Sequence, residues 1–148
     1  MRTFYLNISG FWLKDGIVNM PKYHGIYFVY RARLTPENEV DLIELIYIGK
    51  ADQVGGIRAR LSAHEKMPDF EQQARRGEVI VFSCSPLISY SLERVENALI
   101  YTQQPILNDK GTKSFNYLDT EVRLFDDYAL IEGGVWEYYG KSIIINLN

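Results

Sequence analysis

Two short runs constrain this chain more than any other feature: Gly25-Ile26-Tyr27-Phe28-Val29-Tyr30 and Leu45-Ile46-Tyr47-Ile48-Gly49. Both are built from the β-branched and aromatic residues that suit a pleated, half-buried strand, and each has a glycine at one end. The segment between them, Arg31 to Glu44, is polar and holds the turn residues Pro36, Glu37 and Asn38. The pattern predicts a β-hairpin with a loop of moderate length. Side chains alternate across a strand, so Tyr27 is expected to share a face with Val29, and Tyr47 with Leu45. Antiparallel pairing then lets both phenols stand on one face.

Around this hairpin the 148 residues are 47% hydrophobic and 24% charged, the balance of one domain, 1–148, with a real core. The net charge of −3 counts against a dedicated nucleic-acid binder but leaves room for a local basic groove. The single cysteine, Cys84, excludes an internal disulfide and a multi-cysteine zinc site, and it points to a reducing, cytoplasmic setting. No apolar stretch is long enough to span a membrane, and the N-terminus lacks the layout of a signal peptide.

Thr3 to Ile8 alternates as a strand, whereas Gly10 to Tyr23, broken by Gly10, Gly16, Asn19 and Pro21, reads as irregular. Beyond the hairpin the spacing predicts a helix over Ile57–Lys66, bounded by Gly55-Gly56 and Pro68. A second helix is expected over Phe70–Arg76, with Asp69 as N-cap and Gly77 as stop. Glu78 to Cys84 reads as a central strand, broken by Ser85-Pro86. The clearest helix opens at Ser89 or Ser91 and runs to about Gln104, where Pro105 stops it, and Asn108 to Ser114 is a loop. In the tail, 122–125, 135–138 and 142–147 read as strands, with Gly133-Gly134 and Gly140 as turns. The class is α+β: a small mixed sheet with the tyrosine hairpin, flanked by helices, with a β-leaning extension over 111–148.

Two charge placements stand out. On the wheel of the long helix, Leu92, Val95, Leu99 and Thr102 make one stripe, and Glu96 falls on it beside Ile100. A carboxylate there is partly buried and must meet a cation or donors. From the helix alone, pairing with Arg94 or a core lysine ranks ahead of a metal site. In the helix after Gly56, Ile57 and Leu61 face inward, and Arg60 and His64 sit one turn apart on one flank. That pair is either a solvated edge or an anion site, in which arginine forks a phosphate and histidine holds or moves a proton. Gly49-Lys50 lacks the spacing of an NTPase phosphate loop. With only His24 and His64, and no serine in a nucleophile turn, a hydrolase triad is not expected. Arg31/Arg33, Arg75-Arg76, Lys110/Lys113, Glu37-Glu39 and Asp126-Asp127 each read, alone, as solvated charge.

Taken together these positions resemble the GIY-YIG nuclease family over about residues 22–110. The resemblance rests on Gly25-Ile26-Tyr27, Tyr47-Ile48-Gly49, Arg60 with His64 four residues on, Glu96 in Glu96-Asn97-Ala98-Leu99-Ile100, and Pro105 with Asn108. Lys50 fits a position that is often lysine in the family. Two departures are evident. The longer gap between the tyrosine motifs implies an enlarged hairpin loop, and the stretch from Tyr47 to Arg60 is also longer, with Gly55-Gly56 as the insertion.

The resemblance implies metal-dependent hydrolysis of phosphodiester bonds in DNA, with RNA as an open alternative. Glu96 would bind one Mg²⁺ or Mn²⁺ and Arg60 would contact the scissile phosphate. Tyr27 would help activate water, aided by His64 or Lys50 as proton acceptor or nearby positive charge. Tyr47 would orient the water or the phosphate, and Asn108 would tie its loop to the site. Which tyrosine is the base stays open. Lys50, Arg58, Arg60, Lys66, Arg75 and Arg76 are the expected nucleic-acid groove, although Arg58 on its own wheel position reads as surface. Specificity would come from the flanking segments, a homodimer or a partner protein. The competing reading is a catalytically retired nucleic-acid-binding or assembly module.

Overall fold

The computed structural model describes residues 2–37, 39–125, 135–137 and 140–145. Its strands are β1 (Arg2–Asn7), β2 (Ser9–Leu13), β3 (Gly25–Leu34), β4 (Val40–Ala51), β5 (Val79–Pro86), β6 (Thr120–Phe125), β7 (Val135–Glu137) and β8 (Gly140–Ile145). Its helices are α1 (Gly56–Ser62), α2 (Met67–Gln73) and α3 (Leu92–Gln103), with 3₁₀ segments at Lys14–Asn19 and Ser89–Ser91. The class is α+β. One sheet, ordered β2-β5-β3-β4, is antiparallel throughout; the other, β1-β6-β8-β7, pairs β1 with β6 in parallel. The mixed pairing therefore lies outside the tyrosine hairpin, contrary to the expectation of one mixed sheet.

The hairpin is longer than its apolar runs. Strand pairing continues to Leu34 opposite Val40, so the connection shrinks to 35–39 instead of forming an enlarged loop. The polar residues stay in the strands because they pair with one another. The Arg31 guanidinium, almost wholly buried, donates to both Glu78 oxygens at 2.9 and 2.7 Å and to Glu44 at 3.3 Å. Asn38, Gly133-Gly134 and Asp126-Asp127 lie outside the described residues.

Register places Tyr27 opposite Gly49 and Tyr47 opposite Val29, so both phenols do share a face. A Cβ at residue 49 would meet the Tyr27 ring and hydroxyl at 2.2 Å, and one at residue 25 would meet the Ser85 carbonyl oxygen at 2.0 Å. Both glycines are thus required by close approach. A bulge follows, where Val29 faces Tyr47 but Tyr30 faces Leu45. Leu45 turns into the opposite core layer and does not share the Tyr47 face.

Boundaries move at several places; Gly140, expected as a turn, opens β8. The start of the segment expected as irregular from Gly10 belongs to an edge strand on β5, Ser9–Leu13; pairing makes it a strand where alternation does not. Pro68 does not stop the preceding helix. It occupies the first turn of α2, where its missing N–H costs nothing, so α1 ends at Ser62 and Lys66 takes the N-cap position expected for Asp69. Strand β5 continues through Ser85-Pro86. Helix α3 ends as expected, with Gln104 at a φ of 51° before Pro105.

The β2-β5-β3-β4 sheet carries a core layer on each face. Ile26, Phe28 and Ile48 pack with Leu92, Val95 and Leu99 of α3 and with Phe4, Leu6, Val122 and Leu124 of the second sheet. Tyr27, Val29, Ile46 and Phe82 pack with Met20, Ile57, Leu61 and Phe70 on the other face. Strands from before residue 22 and after residue 110 therefore complete both sheets. Among the described residues no helix is long and apolar enough to cross a membrane. Because the space at residue 49 is filled, Gly49→Ala is expected to cost about 1–3 kcal/mol in denaturant unfolding; an unchanged midpoint would show that the ring is free to move aside.

Candidate active site

The second half of β4 is clasped by the loop that follows α3. Leu107 N–H donates to the Ile46 carbonyl at 3.1 Å. The Asn108 side chain then acts as a strand residue would: Nδ2 donates to the Ile48 carbonyl at 2.9 Å, and Oδ1 accepts from the Ile48 N–H at 3.0 Å. The clasp brings α3 beside β4 and opens a cavity of about 550 Å³ between them, lined by Tyr47, Lys50, Glu65, Lys66, Glu96 and Asn108 among others.

Glu96 is half-buried on the cavity wall. Burial drives its carboxyl up to about 7, against the charge and backbone N–H of Lys50, which favour ionisation. Arg94 is not its partner, since that guanidinium donates to Thr120 Oγ1 and to the Leu118 and Asp119 carbonyls. A carboxylate left this short of positive charge suits a cation. No group of three or more His, Cys, Asp or Glu side chains gathers into a cage among the described residues, and Glu93, on the same cavity wall, adds to the upward shift of Glu96.

Tyr27, Arg60 and His64 do not line this cavity. Tyr27 is 1% exposed. Its hydroxyl lies 2.7 Å from His64 Nε2, while His64 Nδ1 accepts the Lys66 N–H at 3.0 Å. Burial, helped by the Arg60 charge, lowers the imidazole to about 4, so it is neutral near pH 7. A neutral ring that accepts at Nδ1 carries its hydrogen on Nε2, so His64 donates to the Tyr27 oxygen. The geometry does not support the expected acceptance of a Tyr27 proton by His64. Burial, first among the causes, raises Tyr27 well above the ordinary phenol range and raises Tyr47 in the same direction. The Tyr47 ring stacks 6.1 Å from Tyr27, edge-on to His64 at 5.5 Å, with Phe70 at 5.1 Å completing the cluster.

His64 lies beyond the end of α1, not one helical turn from Arg60 on a shared helix; the turn before Pro68 brings it back under Tyr27. Arg60 is engaged. Its two terminal nitrogens fork the Glu65 carboxylate at 2.8 and 2.9 Å, which holds Glu65 down at about 2 and raises Arg60. Glu65 stands on the cavity wall in front of it. Lys66 Nζ donates to Asp109 at 3.0 Å and lies 5.9 Å from the Tyr47 ring centre.

The structure thus gathers Tyr27, Tyr47, Lys50, Arg60, His64, Lys66, Glu96 and Asn108, but not the remaining basic residues. Arg58 Nε donates to the Met20 carbonyl at 2.7 Å and braces the segment before β3. Arg75 and Arg76 are exposed just before β5, at the end where Val79 faces Ala32, whereas the site lies toward Gly25 and Ala51. The expected groove contracts to Lys50, Arg60 and Lys66. Glu65, Phe70 and Asp109 escaped the sequence reading. Glu65 adjoins His64, but its pairing depends on the turn after α1, which no periodicity marks. No family model, curated protein or solved structure matches this chain.

His64 titrates near 4 in the fold against 6.5 ordinarily, so the unfolded chain takes up its proton first as pH falls. Stability is present above that window and lost between about pH 6.5 and 4. His64→Gln is expected to flatten that stretch of the melting temperature against pH; an unchanged slope would assign acid sensitivity to other groups.

Proposed function

We propose that this protein is a metal-dependent endonuclease that hydrolyses phosphodiester bonds in DNA, as its resemblance to GIY-YIG nucleases implies. The observation that carries the reading is Glu96: a half-buried carboxyl pushed to about 7, facing a cavity with Tyr47 and Lys50 beside it. Glu96 would hold one Mg²⁺ or Mn²⁺, which when bound supplies Lewis-acid polarisation of the phosphate. Lys50 adds positive charge on the same wall. Tyr47 is the phenol open to substrate and is suited to orient the attacking water. Tyr27 acts from behind as a positioning residue, its oxygen held by the His64 N–H. Both phenols are raised in the free protein, so neither is a ready base until cationic groups and substrate assemble. Arg60 has the fork geometry for a phosphate, once Glu65 gives way. That pairing favours the second reading, a module that binds nucleic acid or a protein partner without cutting.

Plasmid nicking with Mg²⁺ or Mn²⁺ separates the two. The wild type is expected to nick, and Glu96→Gln to lose about 100-fold or more. An absence of nicking by both in every divalent metal and salt would remove the enzyme reading; equal nicking by both would remove Glu96 as the ligand.

Metal binding has its own readout. The folded carboxyl near 7 lies above the ordinary 4.5, so folding takes up a proton between those values and stability falls as pH rises through them. Without metal, Glu96→Gln is therefore expected to melt higher than wild type near pH 8, with the gain fading toward pH 4.5. Added Mg²⁺ or Mn²⁺ should raise the wild-type melting temperature and not that of the variant.

Glu65→Gln tests the engaged arginine. The ion pair is largely exposed on the glutamate side, so its release should lower KM by about fivefold at most and leave kcat unchanged. A fall in kcat would place Glu65 in the chemistry instead.

A further inference from the structure

A second cavity, of about 670 Å³, opens at the other side of the α3 N-terminus, lined by Arg2, Phe4, Tyr5, His24, Ser89 and Tyr90 among others. It is separated from the first by little chain: Ser91 borders one and Glu93 the other. Its walls expose aromatic surface, with Tyr90 72% and Tyr5 57% accessible. His24 and Ser89, hydrogen-bonded at 2.8 Å, form a polar rim.

Rings and guanidinium groups alternate between the two cavities. Arg2 lies 5.6 Å from the Tyr90 ring centre and 4.9 Å from that of Phe4. Arg94 lies 5.3 Å from Phe4 on its other contact and 5.8 Å from Tyr117, which lines the first cavity. Two like charges thus lie against one ring, and burial first, then the nearness of Arg2, acts against the charge on Arg94. Neither guanidinium is paired with a carboxylate among the described residues. Arg94 is also fixed in place by three neutral acceptors, Thr120 Oγ1 and the carbonyls of Leu118 and Asp119. The exposed Tyr90 face, with the exposed Arg2 guanidinium beside it in the same cavity, is complementary to an unstacked base and its phosphate.

We infer that the second cavity holds an unpaired nucleotide of the substrate strand, its base on Tyr90 and its phosphate on Arg2, so that the substrate carries a single-stranded segment beside the cleaved bond. The inference rests on the nuclease reading and adds a substrate class to it. A base inside a blunt duplex is stacked and cannot reach Tyr90, whereas a flap, a gap or a frayed end presents one at no unpairing cost.

The test is anisotropy of a labelled single-stranded oligonucleotide and of a blunt duplex of the same sequence, in EDTA so that nothing is cut. The full chain is expected to prefer the single strand. Tyr90→Ala and Arg2→Ala, both at exposed side chains, are each expected to weaken that binding about fivefold or more while leaving duplex binding and the melting temperature unchanged. Arg2→Ala should also lower the slope of log affinity against log salt by about 0.7, one phosphate contact on a single strand. Single-strand binding equal to wild type in both variants, or a wild type that binds only the blunt duplex, overturns the inference while plasmid nicking still stands for the nuclease reading. Tyr90-dependent binding by a protein that nicks plasmid bears the inference out; the same binding by a protein that never nicks overturns the substrate class and leaves a nucleotide-binding site alone.

Discussion

The Tyr27 ring fills the space that a side chain at residue 49 would need, and the candidate site depends on that contact. It couples two residues on neighbouring strands into one fit, so the register of β3 on β4 has a single solution. A slip by one residue would set a Cβ against the ring and turn Tyr47 away from its cluster. Tyr47 stands diagonally across from Tyr27 for the same reason, and His64 then has one place to go, between Tyr27 and Phe70. The register set by a glycine thus decides where a phenol, an imidazole and the neighbouring cavity lie.

The charges of the site are unevenly matched. Glu96 is a half-buried acid with too little positive charge near it, whereas Arg60 is a cation whose charge Glu65 already answers. In the nuclease reading a cation and a phosphate together reverse both conditions, and neither alone does. Metal without substrate would satisfy Glu96 and leave the arginine engaged; phosphate without metal would have to displace Glu65 beside a Glu96 carboxyl that is partly ionised near pH 7. That mutual requirement is a property of three side chains and needs no moving lid.

Much of this was legible in the chain because it was local. The two runs announce strands, and Glu96 on an apolar stripe announces a partly buried acid. Asn108, expected from the resemblance to tie its loop to the site, pairs with the Ile48 backbone of β4. What stayed hidden was non-local. Ser9–Leu13 is a strand because β5 offers it partners, and Arg31–Leu34 remains in the hairpin because Glu78 and Glu44 meet Arg31. A bulge has no compositional mark, so Leu45 was assigned to the wrong face. Pro68 carries the same signal for a stop and for a first turn, and the wrong choice placed His64 on a helix that it does not join. Closeness in sequence also misled for Arg58, which braces the Met20 carbonyl, and for Arg75 and Arg76, which lie at the far end of the sheet.

The Asn108 clasp has a consequence for what the sheet edge can recruit. Strand β4 is the outer strand of its sheet, and an outer strand ordinarily offers a row of amide and carbonyl groups to any extended peptide. Beside the site that row is spent: Ile46 and Ile48 are satisfied by a side chain and a loop backbone of the same protein. The edge there ends in a carboxamide, which cannot propagate pairing as another strand would. Growth of the sheet by a second chain is thereby barred at the cavity mouth, and the approach to Tyr47 and Glu96 stays clear of β-addition.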